Sequence, residues 1–336
     1  MAAVEISVII ASDRPGAGRV CVLDSLARQQ GAPAFEVLVV SADDPGSRED
    51  LLMGWVRMEE RNPAARRNRA AAFAAGPLLA FLDDDATAPP GWLAEGNAAG
   101  RRLALFGGPD PSPPRSPWSE RVSDMLLSSP LGSGVAAHAR RPRPGPVGRP
   151  TDLALCNLFV RRELFDELGG FDETIGYIGE DTDFVARAMD RGVVPELVGE
   201  IAVHHRRRPF AGAFLAQRWR YRVKTGELLC ARPGRYPMPA ITAFLASPLV
   251  LLAAGLWAGR FWPVPIAGYA LLTWLLALPI WSKDPALMPV VPFAFALHHA
   301  NSWAALSLGI VRGLSRRFRR APSARPAPTG LPTHPR

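Results

Sequence analysis

The chain has 336 residues, 48% of them hydrophobic, and a formal net charge of +8; that length suits one or two domains with full cores. Much of the basic excess brackets an apolar region near the C-terminus, with Arg206, Arg207, Arg208, Arg218, Arg220, Arg222, Lys224, Arg232 and Arg235 before it and Arg312, Arg316, Arg317, Arg319 and Arg320 after it. Such flanks fit anionic lipid head groups as partners, and the absence of zinc-finger spacing or of interleaved aromatic and basic repeats excludes nucleic-acid recognition.

The first predicted element is a buried strand over Val4 to Ala11, running into the loop Ser12-Asp13-Arg14-Pro15-Gly16. A short helix over Val20 to Gln30, a second strand over Phe35 to Val40, the loop 41–47 and a helix over Glu49 to Met58 follow. The Ala-rich, basic segment Ala64 to Ala75 has high helix propensity and stops near Gly76-Pro77. Leu78 to Leu82 then reads as a strand that ends in three acids, Asp83-Asp84-Asp85. Alternating strands and helices predict an α/β fold with a mostly parallel central sheet, with ligands bound beyond the carboxyl ends of its strands.

Residues 109–150 are rich in proline and glycine, and Trp118 to Leu127 within them suits a helix or a membrane-facing flap. Ala240 to Gly259 and Phe261 to Trp281 carry no charged side chain, and each is long enough to approach a hydrocarbon span of about 30 Å. Pro285 to Val311 is uncharged but holds His298, His299 and Asn301. The expected organisation is a catalytic domain over 1–230, a membrane region over 236–312 with two or three segments, and a basic, Pro-rich disordered tail over 313–336. Three crossings would place Arg312 to Arg320 opposite the catalytic domain, whereas two crossings plus an interfacial segment keep both basic flanks on one side. Cys21, Cys156 and Cys230 form neither a disulfide framework nor a metal knuckle, and Glu5 stands where a secretory leader would be basic. A multi-pass protein of the cell membrane is therefore expected, with its catalytic domain in the cytoplasm.

Three carboxylates at one strand end repel one another and call for a cation; Mg²⁺ or Mn²⁺ there would hold diphosphate oxygens. Gly169-Gly170-Phe171-Asp172-Glu173 and Gly179-Glu180-Asp181-Thr182-Asp183-Phe184 form a second acidic constellation, with Glu180 and Asp181 at a helix start. Asp181 is placed to take the proton of an attacking hydroxyl. In Val203-His204-His205-Arg206-Arg207-Arg208, His204 is a candidate contact to metal or diphosphate and Arg207 a candidate counter-charge for a departing nucleotide, weighed evenly against groups facing water or lipid phosphates.

In this order the motifs resemble the family 2 glycosyltransferases, whose nucleotide-sugar-binding fold is called GT-A, over roughly Ile6 to Gly226. The resemblance implies a GT-A fold followed by C-terminal transmembrane helices. It makes Asp83 and Asp85 the metal-binding Asp-x-Asp pair, Asp84 a neighbour of ribose or sugar, and Asp181 the catalytic base beside Glu180. It assigns donor or cleft contacts to Asp13 in the first loop, to Arg67 and Asn68 in the Ala-Arg-Asn element, and to Asn157 in the segment before Gly-Gly-Phe-Asp. Asp43 and Asp44 share the role of an aspartate that commonly follows the second strand directly; here Ser41 and Ala42 intervene, and Ala11 replaces the usual proline. Gln217-Arg218-Trp219 matches only part of the motif of processive synthases. The implied reaction is inverting transfer from a nucleoside-diphosphate sugar to a hydroxyl on a lipid-linked or membrane-associated acceptor, in cell-envelope glycan or glycolipid synthesis. An NAD(P)-dependent oxidoreductase, suggested by Gly16-x-Gly18 after the first strand, and a non-catalytic membrane sugar-binding protein are the alternatives.

Overall fold

The computed structural model describes residues 3–12, 17–133, 144–176, 178–232 and 238–320; Asp13 and most of the expected tail, 321–336, lie outside the described residues. In chain order the first elements are β1 (Ile6–Ala11), α1 (Ala17–Ala27), β2 (Phe35–Ser41), β3 (Met53–Arg57), α2 (Pro63–Ala71), β4 (Leu78–Leu82), β5 (Ala86–Thr87), α3 (Trp92–Gly100) and β6 (Leu105–Gly107). Then come α4 (Trp118–Ser128), α5 (Pro130–Ser133), β7 (Gly145–Pro146), β8 (Asn157–Arg161), α6 (Arg162–Glu167), α7 (Glu180–Asp190), β9 (Glu196–Leu197) and β10 (His204–His205). The helices α8 (Gly212–Ala231), α9 (Met238–Ala258), α10 (Pro263–Leu276), α11 (Leu278–Trp281) and α12 (Val291–Arg320) complete the chain.

One sheet in the order β3-β2-β1-β4-β8-β6-β9-β7 organises the N-terminal two thirds. β3, β2, β1 and β4 run parallel, whereas β8 is antiparallel to both of its neighbours. Successive side chains of a strand point to opposite faces, and both faces are buried. Val8 and Ile10 join Leu23, Leu26, Trp92 and Leu93 on one side, while Ile9, Leu79 and Phe81 meet Phe165, Phe171 and Phe184 on the other. The nearly unbroken apolar runs of β1, β2 and β4 follow from this two-sided cover.

The helix expected over Glu49 to Met58 is instead β3, paired in parallel with β2. A Cβ on Gly54 would stand 2.8 Å from Leu38 Cδ2, so glycine permits the close approach of the two strands; with the β-branched Val56 it also weakens the helical alternative. The edge of β2 then decides the outcome, a pairing that local propensity does not encode.

The apolar C-terminal region also departs from expectation. Among the described residues one helix, over Ala240–Trp257, is long and apolar enough to cross a membrane, and none of it is buried. The second apolar stretch breaks into α10 and α11 at Ala277, and fourteen residues of helix reach only about 21 Å. The third forms a short 3-10 segment and then α12, which buries Ala294, Phe295, His298, Ser302, Ala305 and Leu306 on one face. This spacing of three and four is that of an amphipathic helix packed on protein, and Asn301 Nδ2 donates to Leu215 O of α8 at 3.2 Å. Phe214, Phe295 and Val291 share a third core with Val122, Met125 and Leu126, so Trp118–Ser128 is a packed helix that ties the C-terminal helices to the rest of the protein.

Candidate active site

The site is built where β1 and β4 end. Ser12, just past β1, donates its hydroxyl to Asp84 Oδ2 at 2.7 Å, and its carbonyl accepts from Arg66 Nη1 at 2.9 Å. Arg66 and Arg67 are successive residues on the buried side of α2, yet they do different work. Arg66 fastens backbone: it also donates to Glu60 O at 2.5 Å and Met58 O at 3.3 Å. Arg67 joins the acidic motifs, donating from Nη2 to Asp83 Oδ1 and from Nη1 to Glu180 Oε1, both at 3.0 Å. Burial works against its charge, and Asp83 and Glu180 on either side outweigh that and raise its pKa.

This bridge brings Asp83 and Glu180 together although they lie far apart in the chain. Gly179 ends the preceding loop with φ 99°, which lets α7 start abruptly at Glu180. Burial, and after it the Asp181 and Asp83 carboxylates, push Glu180 up to about 7 against the pull of Arg67. Asp181 is half-buried; its Oδ1 accepts from Thr182 N at 2.7 Å, and its second oxygen makes no hydrogen bond among the described residues.

The opposite wall comes from β10, which pairs antiparallel with β5, His205 opposite Ala86 and His204 opposite Thr87. That register sets His205 beside Asp85, with Nε2 3.0 Å from Asp85 Oδ1 and Nδ1 3.2 Å from Asp110 Oδ2. Burial disfavours the imidazolium, but the neighbouring Cys156 sulfur, and after it hydrogen bonding to Asp110 and Asp85, raise the His205 pKa well above its ordinary value. Asp83, Asp85 and His205 each offer a ligand atom, and these atoms lie within 4.8 Å of one another. Two carboxylates and an imidazole are a donor set that suits a divalent cation. His204 alternates to the other side of the strand, where its Nδ1 is buried without a hydrogen-bond partner among the described residues. The sequence singled out the first histidine of the pair, whereas the register selects the second.

Several expected ligand contacts hold protein together instead. Arg207 is buried and donates to Asp110 Oδ2 at 2.8 Å, Asp110 O at 2.6 Å and Asp124 Oδ1 at 3.0 Å, which fixes the carboxylate that faces His205. Asn68 exchanges hydrogen bonds with the Phe171 backbone at 2.8 and 2.9 Å and donates to Glu173 Oε1 at 2.9 Å. Gly170, at φ 71°, leaves the room this requires: its Cβ would lie 2.7 Å from Asn68 Oδ1. Asn157 is fully buried, accepting from Trp92 Nε1 at 3.0 Å and donating to Ile201 O at 2.7 Å and Pro109 O at 3.3 Å. Asp43 and Asp44 are exposed beyond β2, and Asp44 Oδ1 accepts from Gly46 N at 2.8 Å. Cys156 and Asp110 are buried neighbours of His205 that the motifs did not reveal; burial and then Asp110 push the Cys156 thiol up to about 12.

The Asn157 network predicts a stability effect. Asn157→Ala strands one indole N–H and two carbonyls in the core, so unfolding should become easier by about 2–4 kcal/mol. A thermal melt checks this, and an unchanged midpoint would contradict the structural role.

The fold is an α/β fold with a large, mostly parallel sheet resembling that of GT-A glycosyltransferases, with its acids gathered at strand ends. The chain belongs to glycosyl transferase family group 2, whose profile matches residues 78–306, and the glycosyl transferase family 2 profile matches residues 21–96. O-antigen biosynthesis protein RfbC of Myxococcus xanthus is 30% identical over 221 residues, covering 56% of this chain and 16% of that protein. Succinoglycan biosynthesis protein ExoU of Rhizobium meliloti is 29% identical over 206 residues, 55% of this chain and 53% of that protein. The chain thus spans about half the length of one of these relatives and a sixth of the other. Among solved structures, mannosyltransferase PcManGT from Pyrobaculum calidifontis in complex with GDP-Man and Mn²⁺ aligns over 93% of this chain and 88% of its own at a TM-score of 0.50 and 20% identity.

Proposed function

We propose that this protein transfers a sugar, with inversion, from a nucleoside-diphosphate sugar to the hydroxyl of a lipid-linked or membrane-associated acceptor in cell-envelope glycan synthesis. The observation that carries the proposal is the Arg67 bridge, which ties Asp83 of the acidic triad to Glu180 of the Glu-Asp pair. The names of RfbC and ExoU favour an envelope polysaccharide context, and the complex of PcManGT favours a nucleotide-sugar donor. Family membership displaces the oxidoreductase reading.

Asp83, Asp85 and His205 would hold Mg²⁺ or Mn²⁺, which when bound supplies positive charge to the diphosphate leaving group. Asp181 accepts the proton of the acceptor hydroxyl as its oxygen attacks the anomeric carbon. Glu180 is occupied by Arg67 and holds the first turn of α7 in place, so Asp181 keeps its aim. Asp84, anchored by Ser12, and Asp43 and Asp44 at the neighbouring strand end form the rim toward the nucleoside. Arg207 positions Asp110, which in turn orients His205. Helix α9 attaches the protein to the bilayer.

The test is purified full-length protein incubated with Mn²⁺ or Mg²⁺ and a panel of UDP-, GDP- and dTDP-sugars, with and without membrane lipid. One donor should release nucleotide in a metal-dependent way and faster with lipid. No metal-dependent turnover of any donor would reject the proposal.

A further inference from the structure

Asp172 of the Gly-Gly-Phe-Asp turn and Asp183 in the first turn of α7 have no part in the chemistry above, yet one cation holds both. Arg232, at the end of α8, donates from Nη1 to Asp183 Oδ1 and from Nη2 to Asp172 Oδ2. Against partial burial, hydrogen bonds from Thr174 and then Arg232 hold the Asp172 carboxyl down to about 2, so the bridge joins full charges at neutral pH. The root of this side chain is fixed. Arg232 N donates to Leu228 O at 2.7 Å, and α8 lies against α12 at backbone distance: a Cβ on Gly226 would stand 2.5 Å from Leu306 O, and one on Gly309 2.1 Å from Val223 O. Arg316 of α12 adds a hydrogen bond to Glu227 Oε2 at 2.9 Å.

The other end of the bridge sits in the turn that carries Asp181. Asp183 N donates to Gly179 O at 3.0 Å, and Asp183 Oδ2 accepts from Arg187 Nε at 2.8 Å. The rest of the Arg187 guanidinium donates to Leu168 O at 2.6 Å and Gly170 O at 2.7 Å, which fastens α7 to the turn before Asp172. With 3.6 residues per helical turn, Asp183 projects about 200° around the axis from Asp181. Arg232 therefore pulls on the side of α7 opposite Asp181, while Arg67 holds Glu180 next to it. Two anchored carboxylates on one turn leave its rotation no freedom, and the residue between them inherits that orientation.

We propose that Arg232 is a positioning residue for the transfer step: by fixing Asp172 and Asp183 to α8 it sets the rotation of the first turn of α7, and with it the aim of Asp181 at the acceptor hydroxyl. This rests on the glycosyl-transfer reading. The chain continues from α8 into α9 at Met238, so the base is set relative to the helix that attaches the protein to the bilayer.

Full-length protein in non-ionic detergent, supplied with Mn²⁺, membrane lipid extract and the donor that turns over in the nucleotide-sugar panel, is compared as wild type, Arg232→Ala, Asp181→Asn and the double variant. Arg232→Ala should lower single-turnover transfer at saturating donor by about 10–100-fold, the scale of an ångström-sized misplacement, and leave UDP or GDP affinity in Mn²⁺ within about twofold. In the Asp181→Asn background the same change should cost less than about twofold, because the group it aims is gone. An equal loss in both backgrounds would mark Arg232 as structural only and overturn the proposal, as would near-normal transfer by Arg232→Ala or a matching loss of nucleotide affinity. Arg232→Lys, which reaches one carboxylate instead of two, should fall between wild type and Arg232→Ala. Asp172→Asn, which loosens one leg and leaves Asp183 paired, should show the same cancellation and replaces Arg232→Ala if that variant does not fold. Wild-type protein that turns over no donor rejects the glycosyl-transfer reading and this proposal with it, whereas active wild type whose losses do not cancel fails this proposal alone.

Discussion

Replacing Asp181 by Asn is expected to lower sugar transfer by about 10²–10⁴-fold, the range that a positioned general base contributes, while donor binding stays nearly unchanged. The substitution is close to isosteric, and an amide oxygen can still accept from Thr182 N, as Oδ1 of Asp181 does at 2.7 Å. The start of α7 is therefore preserved and only the proton acceptor is lost. Glu180→Gln should behave differently, because it removes one anchor of Arg67 and so disturbs the placement of Asp83 as well as of Asp181. Single-turnover transfer measured at saturating donor separates the two. Near-normal transfer by Asp181→Asn would remove it as the base.

Asp85→Asn should abolish most of the metal-dependent part of donor binding, a loss of about 10–100-fold or more in affinity with Mn²⁺ present and little change without it. Asp85 faces His205 at 3.0 Å, and with Asp83 these residues form the cation-type cluster. The main-chain carbonyl of Asp85, which accepts from Arg206 N, is untouched by the substitution. Calorimetric titration with the nucleoside diphosphate, with and without Mn²⁺, reads the effect. Equal affinity for wild type and variant in Mn²⁺ would place the cation elsewhere.

The sequence carried the architecture of the N-terminal two thirds because its signals there are local. The apolar runs of β1, β2 and β4 mark two-sided strands, and acids directly after a buried strand mark a ligand edge. β3 escaped because its pairing with β2 is a tertiary event. The acidic motifs were legible as residue types, but their convergence through Arg67 was not, since the bridge links positions 113 and 16 residues apart. His205 stands for the same limit: one residue of register on a two-residue strand separates it from His204. Asn68 and Asn157 carry motif positions, yet their amides serve a loop backbone and the core rather than the cleft. In the C-terminal region uncharged length suggested several membrane segments, while the break at Ala277 and the buried face of α12 leave α9 as the long apolar helix among the described residues.

Whether one cation touches both this cluster and the nucleotide is read most directly by electron paramagnetic resonance of bound Mn²⁺, with the nucleoside diphosphate of the identified donor and with ¹⁵N-labelled histidine. The expected spectrum carries phosphorus coupling from the nucleotide and nitrogen coupling from one imidazole, with the nitrogen signal lost in His205→Ala. Phosphorus coupling that survives unchanged in an Asp83→Asn/Asp85→Asn variant, with no imidazole nitrogen in the wild type, would contradict the account.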